Sequence, residues 1–548
     1  MRAMTTKTLL ANSLRAIPVL LVGLIASAAQ AAAPGLNGTT APVFNLSAAA
    51  ALISQPDGAS VYAWGYGCQT PPPAATGYLP SLSATSVPSC PQMQLPGPTL
   101  IVNQGAVVSV TLTNNLPAAA GSTSMLFPGF NVTATPAAAT GCVATTPNPV
   151  GTLSVEVAHG CAVTYTFTAT TEGTHSYYSG TQGDLQIEMG MYGAIVVLPA
   201  VVPTSCTTGL AAGNLVAEAT SGESDFRLAK SAYSHNASCY DREYLFQFSE
   251  MDQRIHRQVE EQVAADNNTC AKSAGCLAVD TEPYHPSYYM INGRSMPDDM
   301  DPIYASQYPN QPYNGNPHMH PGELTLLRII GQGRWQHPFH EHGNHVRVLA
   351  RDGNLLLAPV AVGAAADATT PLAGPLLFTT TTTPGQAMDG IFQWTGKGLN
   401  WDVYAHGSGS AADTAVCTPD ANGYNTGDPT APNYYEWCGD HQKPLEKNPF
   451  GDVGSGGPAT LPDPNILTNG PWYSGSAYLG PDAAGRSQGP TPIPPSGTIA
   501  NPSGSEAGFA YMWHSHNERE ITTGNIFPGG MLMMMLVDPR AFPIDESN

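Results

Sequence analysis

Histidine is unevenly distributed in this chain. Six of its 15 histidines fall between residues 318 and 345. The densest stretch is His337-Pro338-Phe339-His340-Glu341-His342-Gly343-Asn344-His345. A second is Trp513-His514-Ser515-His516-Asn517-Glu518-Arg519-Glu520. In an extended strand, residues i and i+2 project from the same face. Each His-x-His pair therefore aims two imidazoles one way. Two such strands side by side would converge His340, His342, His514 and His516. Neutral imidazole suits copper, zinc, iron or nickel. His337 stands just ahead of the first pair. Glu518 and Glu520 follow the second pair, where a carboxylate could move protons.

Such strands must sit in a fold that holds them, and the composition points to an all-β one. Of 548 residues only 11% are charged, while Gly (56) and Pro (50) are abundant. Coiled coils are excluded by the scarcity of charged helix formers. With 42% hydrophobic residues the chain is not intrinsically disordered. Twenty cations against 41 acids, net charge -21, leave no basic face for nucleic acid. Apolar and polar residues alternate from Gly105 to Thr113, and Asn114-Asn115 closes that run as a turn. Further strand patterns fall at 163–167, 193–198, 244–248, 289–293, 323–330 and 531–537. Ile255, Val259 and Val263 recur every four residues and predict one short helix over Gln253 to Ala265. The run Met531, Met533, Met534 and Met535 reads as a closing core strand rather than a copper(I) site. His318 and His320 precede Pro321-Gly322, a turn, and are expected to be solvated. A stretch dense in Gly, Pro, Asn and Asp, about 405–505, reads as a long loop insertion.

The N-terminus reads as an export signal over residues 1–31. Arg2, Lys7 and Arg15 precede an apolar run from Ile17 to Ala29, and Ala29-Gln30-Ala31 fits a cleavage site. Cleavage removes three cations, taking the net charge from -21 to -24. No other stretch is long enough to span a bilayer, so no membrane anchor is expected after cleavage. The expected location is periplasmic or extracellular. Ten cysteines in an exported chain read as disulfides. Pairing of neighbours (68 with 90, 142 with 161, 206 with 239, 270 with 276, 417 with 438) is the simplest scheme, which sequence alone leaves open.

The order of these motifs resembles the multicopper oxidase superfamily. His337 to Leu349 resembles its third histidine motif, and Trp513 to Met531 its fourth. Pro96-Gly97-Pro98-Thr99 resembles the opening of its first domain. Gly173 to Gly180, followed by Met189 to Gly193, resembles its second motif region, and Tyr289 to Arg294 a strand opening of later domains. The resemblance implies two cupredoxin-like Greek-key β-sandwich domains with long loop insertions. They would span residues 42–200 and 241–548, with a linker at 201–240. It also implies copper as cofactor and maps His340, His342, His514 and His516 onto cluster positions and His337 onto the mononuclear blue site. The departures are equally clear. Met125-Leu126-Phe127-Pro128-Gly129 and Tyr178-Ser179-Gly180 stand where first-domain histidines belong. Ser515 replaces the cysteine of the blue copper, and Glu520 replaces a further histidine.

A hydroxyl is a poor copper ligand at neutral pH, so a laccase-type cycle is not expected. The leading expectation is an exported copper-binding protein with a reduced histidine site. As an enzyme it would be an oxidoreductase taking electrons from a small-molecule reductant, with Glu518 or Glu520 moving protons. The alternatives are a non-enzymatic protein that binds or sequesters the metal ion, and a cell-surface structural protein. His514-Ser515-His516 with Glu520 also resembles a cupin motif, but no histidine follows His516 to complete that set. A homotrimer is compatible with the resemblance, because family sites often lie between subunits; the lost first-domain histidines weaken that requirement.

Overall fold

The computed structural model describes residues 33–74, 76–80, 89–137, 142, 154–207, 227–266, 270, 275–397, 417–428, 434–435, 437–440, 475–478, 508–537 and 544. Residues 1–31, read from sequence as an export signal, and most of the stretch 405–505, read as a loop insertion, lie outside the described residues. The fold is all-β, as expected.

In strand Val107–Asn114 the burial alternates strictly, with Val108, Val110, Leu112 and Asn114 inside. That is the period-two pattern of the sequence made physical. This strand pairs with Val43–Ser54 in parallel and Ala162–Thr168 antiparallel. Ser60–Cys68 and Thr133–Pro136 complete the sheet. A second sheet runs Tyr78–Leu79, Gly35–Asn37, Leu100–Asn103, Tyr192–Leu198, Gly173–Tyr178. The two sheets share one core, where Leu100, Val102, Ile195 and Val197 meet Val108, Val110, Leu112 and Trp64.

A second sandwich follows. One sheet contains Tyr288–Ile291, Arg242–Met251, Leu324–Gly331, Ala387–Gln393 and Val346–Arg351. The facing sheet runs His318–Met319, Leu532–Val537, Gly508–Ser515, His337–Glu341, Thr379–Thr382. Phe246, Phe248, Leu327 and Ile329 pack against Phe339, Trp513, Met531, Met533 and Met535. The methionines at alternate positions are thus core, as the sequence suggests. Burying each such large side chain stabilises by about 1.5–3 kcal/mol. The helix spans Gln253–Ala265, with Asp252 capping it by accepting from the Arg254 N–H at 2.9 Å. No helix among the described residues is long and apolar enough to cross a membrane.

All five neighbour disulfides form. The connector is more than a tether where it is described. Ala232, Tyr233 and Tyr240 pack on Leu326, Leu349 and Ala350. A buried charge network joins the sandwiches. Asp389 accepts from the Thr174 N–H (3.0 Å) and hydroxyl (2.5 Å), and Arg328 donates to Glu243 at 2.7 Å and to the Thr174 hydroxyl at 3.1 Å. The histidines of the turn at 318–322 depart from expectation. His318 and His320 are buried, because His318–Met319 pairs with Leu532–Val537 and the Glu323 carboxylate accepts from the His320 N–H at 2.8 Å.

Candidate metal centre

Strand His337–Glu341 pairs antiparallel with Gly508–Ser515, with His340 opposite His514 and Phe339 opposite Ser515. This register puts the two His-x-His pairs together. The rings of His340 and His342 lie 4.7 Å apart, His340 and His516 4.9 Å, and His342 and His514 5.0 Å. His514 and His516 are 5.6 Å apart, and His340 and His514 5.7 Å. Nε2 of His514 is 3.2 Å from Nε2 of His342. Two nitrogens bound to one ion at about 2.0 Å would stand at about that separation.

The flanking hydrogen bonds orient two of the rings, and a carbonyl sets the tautomer of one. His514 Nδ1 lies 2.7 Å from the Ser515 carbonyl, so Nδ1 donates and Nε2 carries the lone pair. His340 Nδ1 lies 2.7 Å from the Thr379 hydroxyl. Outer bonds of this kind orient ligating imidazoles. Burial, then the nearby His514 and His516, pull His340 down to about 4. Burial also lowers His514. Both rings are therefore neutral at pH 7, the state that binds metal. His340, His342 and His514 are buried while His516 is exposed. Phe378, 40% exposed, stacks edge-on against His340 and borders the cluster. The cluster is looser than a closed site. Among the described residues, the set whose ligand atoms all lie within 4.8 Å of one another is Asp266, Cys270 and Cys276, and those sulfurs are bonded to each other.

His337 does not join the four. The resemblance sets it apart at the mononuclear blue site, and it projects from the opposite face of the strand into the interior. Its Nδ1 lies 2.9 Å from Glu520 and its Nε2 2.9 Å from Glu250. Burial lowers its proton affinity, but the two carboxylates outweigh that and raise it to about 9. Glu520, expected to move protons, instead accepts from His337, the Ser515 hydroxyl and Asn517 Nδ2. Glu518 is exposed beside the cluster. Glu250 was not singled out from sequence; the only signal was a carboxylate near the end of a largely apolar strand, Arg242–Met251.

Glu341 also faces inward. It is fully buried and accepts from the Thr380 hydroxyl at 2.7 Å. Burial pushes its carboxyl up to about 8. An acid raised in the folded state costs stability as pH rises above about 4.5. Glu341→Gln is expected to be more stable than the parent at pH 8 by about 4 kcal/mol, with no gain at pH 4, in urea unfolding.

The first sandwich offers no ligands at the corresponding segments. Tyr177 is buried and its hydroxyl donates to the Pro98 carbonyl at 2.7 Å. His175 lies 3.0 Å from the Thr171 carbonyl through Nε2 and packs on Phe130. Ser179 donates to Gln186 at 2.6 Å. These residues fill space and bond internally. Tyr177→Phe is expected to lower unfolding stability by about 1–2 kcal/mol without changing metal content.

A multicopper oxidase family model matches residues 89–201. A search of curated proteins gives no match. Among solved structures, the chain is similar to the multicopper oxidase mgLAC, at 13% identity over 92% of this chain and 88% of that one, TM-score 0.41. It is similar to a blue copper oxidase from Nitrosomonas europaea, at 15% identity over 90% and 85%, TM-score 0.40. It is also similar to the copper nitrite reductase from Nitrosomonas europaea, at 17% identity over 64% and 84%, TM-score 0.37. The family match implies copper as the cofactor.

Proposed function

We propose that this chain, a multicopper-oxidase-type protein of cupredoxin fold, is an exported protein that binds copper through His340, His342, His514 and His516. The observation that carries the reading is the pairing of His340 with His514 across two adjacent strands, with the Nε2 atoms of His342 and His514 3.2 Å apart. The donor set fits copper, since four neutral imidazoles are nitrogen ligands for that metal. Small ring rotations within the cluster would bring the nitrogens onto one ion.

When bound, copper supplies one-electron redox chemistry. The residues of the chain hold and orient it. The Thr379 hydroxyl orients the His340 ring, and the Ser515 carbonyl fixes the His514 tautomer. The exposed edge at His516 and Phe378 leaves the cluster open to a small reductant from solvent. Glu518 at that edge is placed to exchange protons with water. The five disulfides support export, because such bonds persist in oxidising compartments. A non-enzymatic copper-holding role uses the same four residues, and turnover with a reductant under air separates the two.

The test is copper per chain after reconstitution, with electron paramagnetic spectra, in the parent and in His340→Ala/His516→Ala. About one copper with nitrogen coupling, lost in the variant, is the expected result. Copper binding untouched by the double substitution would sink the assignment.

A further inference from the structure

We propose that the position where multicopper oxidases carry their mononuclear blue copper is closed in this chain by an internal charge clamp, Glu250–His337–Glu520, and takes no metal. The resemblance places His337, Ser515 and Glu520 at that position. Their geometry does not suit a metal. A ligand imidazole must present one nitrogen lone pair, and His337 spends both nitrogens on carboxylates at 2.9 Å. With an acceptor on each side, the ring is an imidazolium with two N–H donors. Its side chain is fully buried, as is that of Glu250.

Each end of the clamp is held in turn. The Glu250 carboxylate also accepts from the backbone N–H groups of Arg334 (2.7 Å) and Trp335 (2.8 Å). Tyr284, whose hydroxyl lies 2.6 Å from Glu188, stands 3.3 Å from the other side of Glu250. Glu520 accepts from Asn517 Nδ2 at 2.9 Å and from the Ser515 hydroxyl. The serine that replaces the thiolate is thus turned onto Glu520. One cation serves two carboxylates, and neutral donors from Arg334 N–H, Trp335 N–H, Ser515 and Asn517 also hydrogen-bond those carboxylates, which is how buried ions persist. The clamp also ties strand Arg242–Met251 and strand His337–Glu341 to the turn after Ser515. That turn carries His516, whose N–H donates to the Pro338 carbonyl at 2.8 Å. Glu250, His337 and Glu520 are therefore positioning residues for the turn.

This inference does not depend on the four-imidazole reading, and it is tested in a background that removes that site. In His342→Ala/His514→Ala, which removes the best-formed pair of the cluster, titration with copper(II) followed by paramagnetic and absorption spectra is expected to show no copper retained. A copper that is retained there and lost on adding His337→Phe would overturn the proposal. In the same background, Ser515→Cys/Glu520→His frees His337 Nδ1 and supplies a thiolate. It is expected to gain one copper with the intense visible band of a cysteine-ligated site. Ser515→Cys alone is expected to stay colourless, because Glu520 still holds His337. Colour from the single substitution, or a folded double substitution without copper, would overturn the clamp. Should the added variants fail to fold, nitrogen-15 NMR of His337 in the starting background decides. Two bonded protons at pH 7 are expected, and a singly protonated ring would refute the clamp.

Discussion

His337→Ala is expected to lower the unfolding free energy by about 3–5 kcal/mol, measured by urea denaturation at pH 7. The loss comes less from the missing side chain than from what it leaves behind. Glu250 and Glu520 both direct an oxygen at His337, each at 2.9 Å, inside a protein interior. Without the cation, two carboxylates face one buried space. The folded state must then hold uncompensated charge or take up a proton, and both are costly. His337→Gln restores a donor to one carboxylate and is expected to recover part of the loss. The pH dependence gives an independent check. The folded ring is held up to about 9, above the ordinary value of 6.5. Its stabilisation is therefore fully present below about pH 6.5 and disappears as pH rises through about 9. The parent should lose stability over that window, and His337→Ala should not show that loss. A parent stability that rises between pH 7 and 9 would contradict an imidazolium at this position.

Local spacing made some of this visible in the sequence, and long-range pairing hid the rest. The helix Gln253–Ala265 was legible because Ile255, Val259 and Val263 fall on one face. The burial of Val108, Val110 and Leu112 was legible from alternation. The His-x-His pairs announced their faces through the same period of two. What the spacing could not reveal was which partner each face would meet. His340 and His337 are three residues apart and project from opposite faces, one to the imidazole cluster and one to the core. Proximity to the motif grouped His337 with the ligands, while Glu250, 87 residues away in sequence, decides its chemistry. Likewise His320 reads as a turn residue beside Pro321-Gly322. It is buried because the Glu323 carboxylate, ion-paired with Arg242, accepts its N–H.

Copper affinity is expected to fall in a graded order across the four-imidazole cluster, with His342→Ala and His514→Ala at its head. These two rings already have their Nε2 atoms 3.2 Å apart, so either loss removes half of the best-formed pair. Each is expected to abolish stoichiometric copper in a competition titration against a nitrogen chelator. His340→Ala follows, because its buried ring lies within 5.7 Å of the other three ring centres. His516→Ala should cost less, since the ring is exposed and water can replace it. Thr379→Val touches no metal, yet it removes the bond at 2.7 Å that orients the His340 ring. Loss of such an outer partner is worth about 10–100-fold in affinity. A site built from these four rings requires that order. Equal losses from all four alanine variants would point to general unfolding. An affinity unchanged in His342→Ala would place the copper elsewhere in the chain. Thr379→Val is the more discriminating member, because it leaves all four ligands in place. Weakened binding there, at unchanged unfolding stability, separates orientation of the ring from a loss of fold.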